Sequence, residues 1–133
     1  MENPAERREF VRLIPREKTF VALPDLGRMG PITDISLGGL GCKFVVSSGE
    51  KEANMDKVAA PLPADIFVSA NGFYLSNVLC RVAFDVSAHQ DLPTYSFSIT
   101  KRRCGLKFDE LTKEQEKQIN GFLENRTVGR LNQ

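Results

Sequence analysis

Asp65-Ile66-Phe67-Val68-Ser69-Ala70-Asn71-Gly72-Phe73-Tyr74-Leu75 reads as a β-hairpin, and this stretch sets the fold class of the chain. Asn71-Gly72 suits a tight turn because both positions tolerate the positive φ that the twist of the flanking strands demands. Upstream, Thr19–Leu23 is a short apolar strand closed by the turn residues Pro24-Asp25-Leu26-Gly27. A second strand runs from about Pro31 into Asp34, and a third follows as Leu40–Val46. Downstream, Val78 begins a further strand in which Val78, Cys80, Val82, Phe84 and Val86 form one apolar face. A loop over Ser87–Pro93 leads to Tyr95–Thr100, where alternation is strict, and on through Lys101-Arg102-Arg103 to Phe108. Many short strands at regular spacing specify a small barrel or sandwich, and a barrel has the advantage of leaving no exposed strand edge.

Residues 47–64 are polar and punctuated, and read as a mobile connection in which Ala53 to Val58 can hold a helical turn. Only the last segment is helical. Thr112 and Gln115 form a capping box, and Ile119, Phe122 and Leu123 make an apolar stripe, so a helix over about 112–126 is expected to lie on the barrel. Residues 1–18 are dense in charge of both signs and are expected to form a flexible arm ahead of one domain over 19–133. A chain of 133 residues with 41% hydrophobic content supports one domain with a core. Its 18 basic and 17 acidic residues nearly cancel, which argues against a protein that coats nucleic acid polymers or anionic membrane by net field. The charged start and the lack of a long apolar run predict a cytoplasmic protein without membrane insertion. Cys42, Cys80 and Cys104 lack metal or redox spacing and read as small core residues in a reducing compartment.

Two short motifs stand out. Arg8-Glu9-Phe10-Val11-Arg12 lies in the charged arm, and Asp34-Ile35-Ser36-Leu37-Gly38-Gly39 opens the third strand. Alone, the arginines read as a solvated helix face and the glycines as a β-turn, and no Gly-Lys-Ser/Thr ending makes the second motif a phosphate loop. In this order and separation the two resemble the paired RxxxR and DxSxxG signature of the PilZ domain, a bacterial module that binds cyclic di-GMP. The last part, Arg103–Phe108 followed by Asp109-Glu110-Leu111-Thr112 and an amphipathic helix, is similar to the strand-then-helix ending of that family. The resemblance implies a mainly β fold, a six-stranded antiparallel barrel with the C-terminal helix attached. It also implies a receptor for cyclic di-GMP that signals to a downstream protein partner, with no cofactor and no catalysis.

Cyclic di-GMP presents two phosphates and two guanines. Arginine can answer both, since its fork bonds guanine O6 and N7, its plane stacks on purines and its charge persists. The resemblance assigns ligand binding to Arg8 and Arg12. It adds Arg7, at a position where a third arginine tends in the family to favour an intercalated pair of ligands over one molecule. Asp34 supplies what arginine cannot, acceptors for guanine N1–H and the exocyclic amine. Ser36 offers a hydroxyl for a guanine or backbone contact, and Gly39 is expected to let the base approach without a Cβ in the way. Gly38 and Gly41 either do the same or serve strand geometry.

Other residues have blander readings. Arg102, Arg103 and Arg81 are expected as solvated strand positions, with extension of the positive surface as the alternative for all three. His89, the one histidine, reads as a surface loop residue, and no nucleophile with a base partner can be assembled. The alternatives to a nucleotide receptor are a PilZ-like adaptor working by protein contact alone, and a small barrel binding single-stranded nucleic acid. The intact motif residues speak against the first, and the absence of tryptophan and the near-zero net charge against the second.

Overall fold

The computed structural model describes residues 11–47, 61–69, 72–87 and 99–130. Its strands are β1 (Leu13–Pro15), β2 (Thr19–Leu23), β3 (Arg28–Ile35), β4 (Gly39–Ser47), β5 (Leu62–Val68), β6 (Tyr74–Ser87), β7 (Ile99–Phe108) and β8 (Thr127–Arg130), with helix α1 at Lys113–Asn125 between the last two. Six of them close a ring in the order β2-β5-β6-β7-β4-β3, and β3 pairs back onto β2. Every pairing is antiparallel. This is the six-stranded barrel that the family resemblance implies.

Alternation carries the core. Thr19, Val21 and Leu23 of β2 and Leu62, Ala64, Ile66 and Val68 of β5 point inward, while Phe20 and Phe67 stack on the outside with centroids 5.7 Å apart. A single turn of 3-10 helix at Pro24–Leu26 joins β2 to β3, and Gly27, at φ 63°, donates its N–H to the Pro24 carbonyl to close it.

β6 differs from its reading as two strands. Leu75 and Val78 are both buried although three residues apart, because Ser76 and Asn77 bulge opposite Asp65. Asn77 sits at φ 54°, and its N–H donates to the Asp65 carboxylate at 3.1 Å. A second bulge between Val82 and Phe84 corrects the expected apolar face. Val78 and Cys80 face the core, but beyond the extra residue the sides exchange. Phe84 and Val86 then turn outward, and Asp85 turns in to take a 2.8 Å ion pair from Arg102 Nε.

The helix begins as expected, with Thr112 and Gln115 capping each other. Gln115 Nε2 also donates to the carbonyls of Ser76 and Asn77, which ties the helix to the first bulge. Ile119 and Phe122 are buried on the barrel, Phe122 against Phe73 at 5.2 Å. After Arg126 the chain turns into β8, which pairs with β1, and β1 in turn pairs with β3. Leu13–Pro15 therefore lies in the sheet, a strand that the expectation of an arm through residue 18 did not include. The arm before residue 11, residues 48–60 of the expected connection, residues 88–98 with His89, and Ala70-Asn71 of the hairpin turn lie outside the described residues, whereas Leu62–Ala64, read as the end of that connection, belong to β5.

Cys42, Cys80 and Cys104 are free and buried. Burial, helped by Cys104 and Asp109, pushes the Cys80 thiol up to about 12, and contact with Cys104 together with burial raises Cys42. The thiolate is the reactive form. Native protein at pH 8 is thus expected to leave all three thiols unreacted with an aromatic disulfide reagent over minutes, and to release three equivalents in denaturant. Immediate reaction of two or more would show that the core does not close as described.

Candidate functional site

The hairpin between β3 and β4 builds the site. Ser36 opens its turn and fixes it twice: its N–H donates to the Gly39 carbonyl at 2.8 Å, and its hydroxyl oxygen accepts from the Gly38 N–H at 3.1 Å. The Gly38 carbonyl accepts from Phe108 N–H at 2.9 Å, docking the turn on the end of β7. Ser36 is buried and makes the backbone contact of its two expected roles. Gly39 is held to glycine by packing. A Cβ there would collide with the Leu106 carbonyl oxygen, so the close approach that demands glycine is made by the β7 backbone.

Asp34 is placed by a bulge. β3 and β4 pair Ile32 with Cys42 and Asp34 with Gly41, leaving Thr33 as the extra residue. Ile32, Ile35, Leu40 and Cys42 fill the core, so Asp34 and Gly41 belong to the opposite, outer face. Asp34 is nevertheless only 3% exposed. Its Oδ2 accepts from Arg12 Nε at 2.6 Å and its Oδ1 from the Thr33 hydroxyl at 3.0 Å. A Cβ on Gly41 would stand 2.5 Å from Oδ1, which makes Gly41 the residue that gives the carboxylate its room.

The two halves of the motif pair therefore meet. Arg12 reaches the site because β1, the strand that follows it, pairs Leu13 with Ile35 of β3. The guanidinium stays partly open to solvent, with 28% of the side chain exposed against 4% for Asp34. A partly buried, charge-assisted pair of this kind aims the carboxylate, and leaves a cation at the rim for an anionic ligand. Arg7 and Arg8 lie outside the described residues. Thr33 was missed by the sequence reading, since a β-branched residue in a strand carries no site signal. Gly41 was read ambiguously, since its need for space follows from cross-strand register.

Among the peripheral arginines, Arg81 pairs with Asp109 at 2.9 Å on the surface, as a solvated strand position does. Arg103 is exposed, whereas Arg102 shares the inner side of β7 with Cys104 and Leu106 and pairs with Asp85, which the β6 bulge turns inward, a correction to its reading as a solvated position. Among the described residues no group of three His, Cys, Asp or Glu is placed to hold a metal ion, and no helix is long and apolar enough to cross a membrane.

A closed six-strand barrel whose β3–β4 hairpin presents a carboxylate to an arginine from the preceding segment defines a PilZ domain. The family model for that domain matches residues 6–125, and the chain belongs to the PilZ family. Solved structures share the fold. MrkH, described as a c-di-GMP-dependent transcription regulatory factor, superposes with a TM-score of 0.62 at 17% identity over 90% of this chain and 50% of its own. The apo state of MrkH from K. pneumonia gives 0.60 at 15% over 95% and 50%. The PilZ domain of YcgR from Escherichia coli, solved with c-di-GMP, gives 0.55 at 18% over 86% of both chains. The chain spans about half the length of the MrkH chains it matches. No curated protein matches it in sequence.

Proposed function

We propose that this chain is a cytoplasmic receptor for cyclic di-GMP, with Arg7, Arg8 and Arg12 as its cationic clamp and Asp34 as its guanine reader. The observation that carries the reading is the 2.6 Å pair of Arg12 and Asp34, which joins both halves of the signature at one place. Ser36 and Gly39 serve by shaping the hairpin that aims Asp34, and Thr33 and Gly41 by fixing its carboxylate. Membership of the PilZ family and likeness in fold to a domain solved with this ligand support the same reading. No part of it requires catalysis or a cofactor.

Both carboxylate oxygens of Asp34 are engaged before ligand arrives, so a guanine must displace or share Arg12. Freed from Asp34, Arg12 would turn to guanine or phosphate and pull on β1. β1 pairs with β8, Arg16 N–H donates to the Arg126 carbonyl at 2.7 Å, and Arg126 pairs with Glu17 at 3.4 Å. Movement at Arg12 is thus passed to the end of α1, where a partner protein can read it. Hydrogen exchange in residues 11–18 and 126–130 should change together on ligand addition, and change in neither would remove this route.

Calorimetric titration tests the function. Cyclic di-GMP should bind saturably while GTP at equal concentration gives no heat, and binding of neither overturns the assignment. Two ligands per protomer are expected from Arg7, and a stoichiometry of one would sink its role in holding a pair.

A further inference from the structure

The register of the sheet sets four residues in one row across the outer face: Asp34 of β3, Gly41 of β4, Gly105 of β7 and Phe84 of β6. The two central positions are bare of side chain, and the two flanking side chains lie down over them. Asp34 leans onto Gly41, and the Phe84 ring covers Gly105, where a Cβ would land on the ring itself. Each has an arginine beside it. Arg12 holds Asp34, and the Arg103 guanidinium lies 5.9 Å from the Phe84 ring centroid. The neighbouring rows of the same face add Lys107 on one side and Lys43 with Arg103 on the other, all exposed.

An aromatic ring laid over a strand glycine is also a packing device of β-sheets. Packing accounts for the ring, yet it leaves Phe84 37% exposed and edged by a cation, in one row with Asp34 across two positions bare of side chain. The backbones of Asp34 and Phe84 stand three strand spacings apart, roughly 14 Å, but the carboxylate and the ring lean toward each other over the adjacent strands of Gly41 and Gly105, which sets them within reach of one dinucleotide. A planar ring with an arginine on it suits a purine face, and the flanking cations suit phosphate.

We infer that the nucleotide site continues across the barrel to Phe84 and Arg103, which stack and neutralise the half of a cyclic purine dinucleotide that Asp34 does not read. The inference rests on the proposed function and is tested apart from it. The chain has no tryptophan, so Phe84→Trp places a single reporter in the strip. Cyclic di-GMP should quench its fluorescence saturably. Phe84→Leu and Arg103→Ala should each bind about tenfold more weakly in calorimetry, the scale of losing one stacked base, with Phe84→Tyr close to wild type. Thermal midpoints check folding, and if Phe84→Leu proves unstable, the exposed Arg103→Ala and the Trp reporter decide. Unchanged affinity in Arg103→Ala together with an unresponsive tryptophan, while Asp34→Ala loses binding, would overturn the extension and leave the receptor standing. No binding by wild type would overturn both.

Discussion

Asp34→Ala is expected to weaken cyclic di-GMP binding at least about a hundredfold while leaving the barrel folded. The carboxylate can accept from guanine N1–H and the exocyclic amine, and bonds to a charged group contribute about 1.5–3 kcal/mol each, so losing both exceeds the roughly 2.7 kcal/mol that corresponds to a hundredfold. Arg12→Ala should damage binding comparably, because it removes a cation from the same rim. The two variants should differ in stability. Removing Asp34 leaves Arg12, already 28% exposed, to be solvated, at a cost of about 1 kcal/mol. Removing Arg12 leaves a carboxylate that is 4% exposed with the Thr33 hydroxyl and no cation among its described partners. Breaking a fully buried pair costs about 3–5 kcal/mol, and the partial exposure of Arg12 lowers the expectation to about 2. Urea unfolding of both variants checks the order. A more stable Arg12→Ala than Asp34→Ala would mean that the pair does not hold the site.

Gly39→Ala and Gly41→Ala should separate fold from function. At Gly39 the added methyl meets the Leu106 carbonyl oxygen and the Lys107 Cα, both backbone of a central strand that cannot yield without breaking pairing. Overpacking costs about 1–3 kcal/mol where side chains can shift, so a backbone clash belongs at or above about 3. For a domain of this size that lowers the thermal midpoint by roughly 10 °C. At Gly41 the methyl meets the Asp34 carboxylate at 2.5 Å and the Thr33 hydroxyl at 3.1 Å, side-chain ends that can move. Stability should fall by about 1 kcal/mol, while binding drops by an order of magnitude or more because Asp34 is turned from its aim. Scanning calorimetry with ligand titration reads both effects. Equal loss of stability in the two variants would contradict the packing described here.

The strands β2 and β4 and the capping box of α1 were legible because each follows from a short apolar run beside turn residues or from a spacing of three. The bulges were not. Val78 to Val86 reads as one apolar face only if the strand runs unbroken, and the extra residue between Val82 and Phe84 reverses it, putting Asp85 inside and Phe84 outside. β1 and β8 also escaped, since three and four residues show no period and their pairing joins distant parts of the chain. At the site, resemblance named Arg12, Asp34, Ser36 and Gly39, but register alone shows why they work together. Asp34 needs Gly41 across the ladder and Thr33 in the bulge, and Gly39 answers to Leu106 of β7, relations that spacing along the chain does not contain.

The most direct test is to follow backbone amide resonances of the labelled protein as cyclic di-GMP is added. The largest shifts should fall on Arg12, Thr33, Asp34 and Gly41, with Gly105 following and the helix residues Lys117 to Gly121 still. Shifts confined to α1, or absent from Thr33 through Gly41 at saturation, would contradict a nucleotide site built on Arg12 and Asp34.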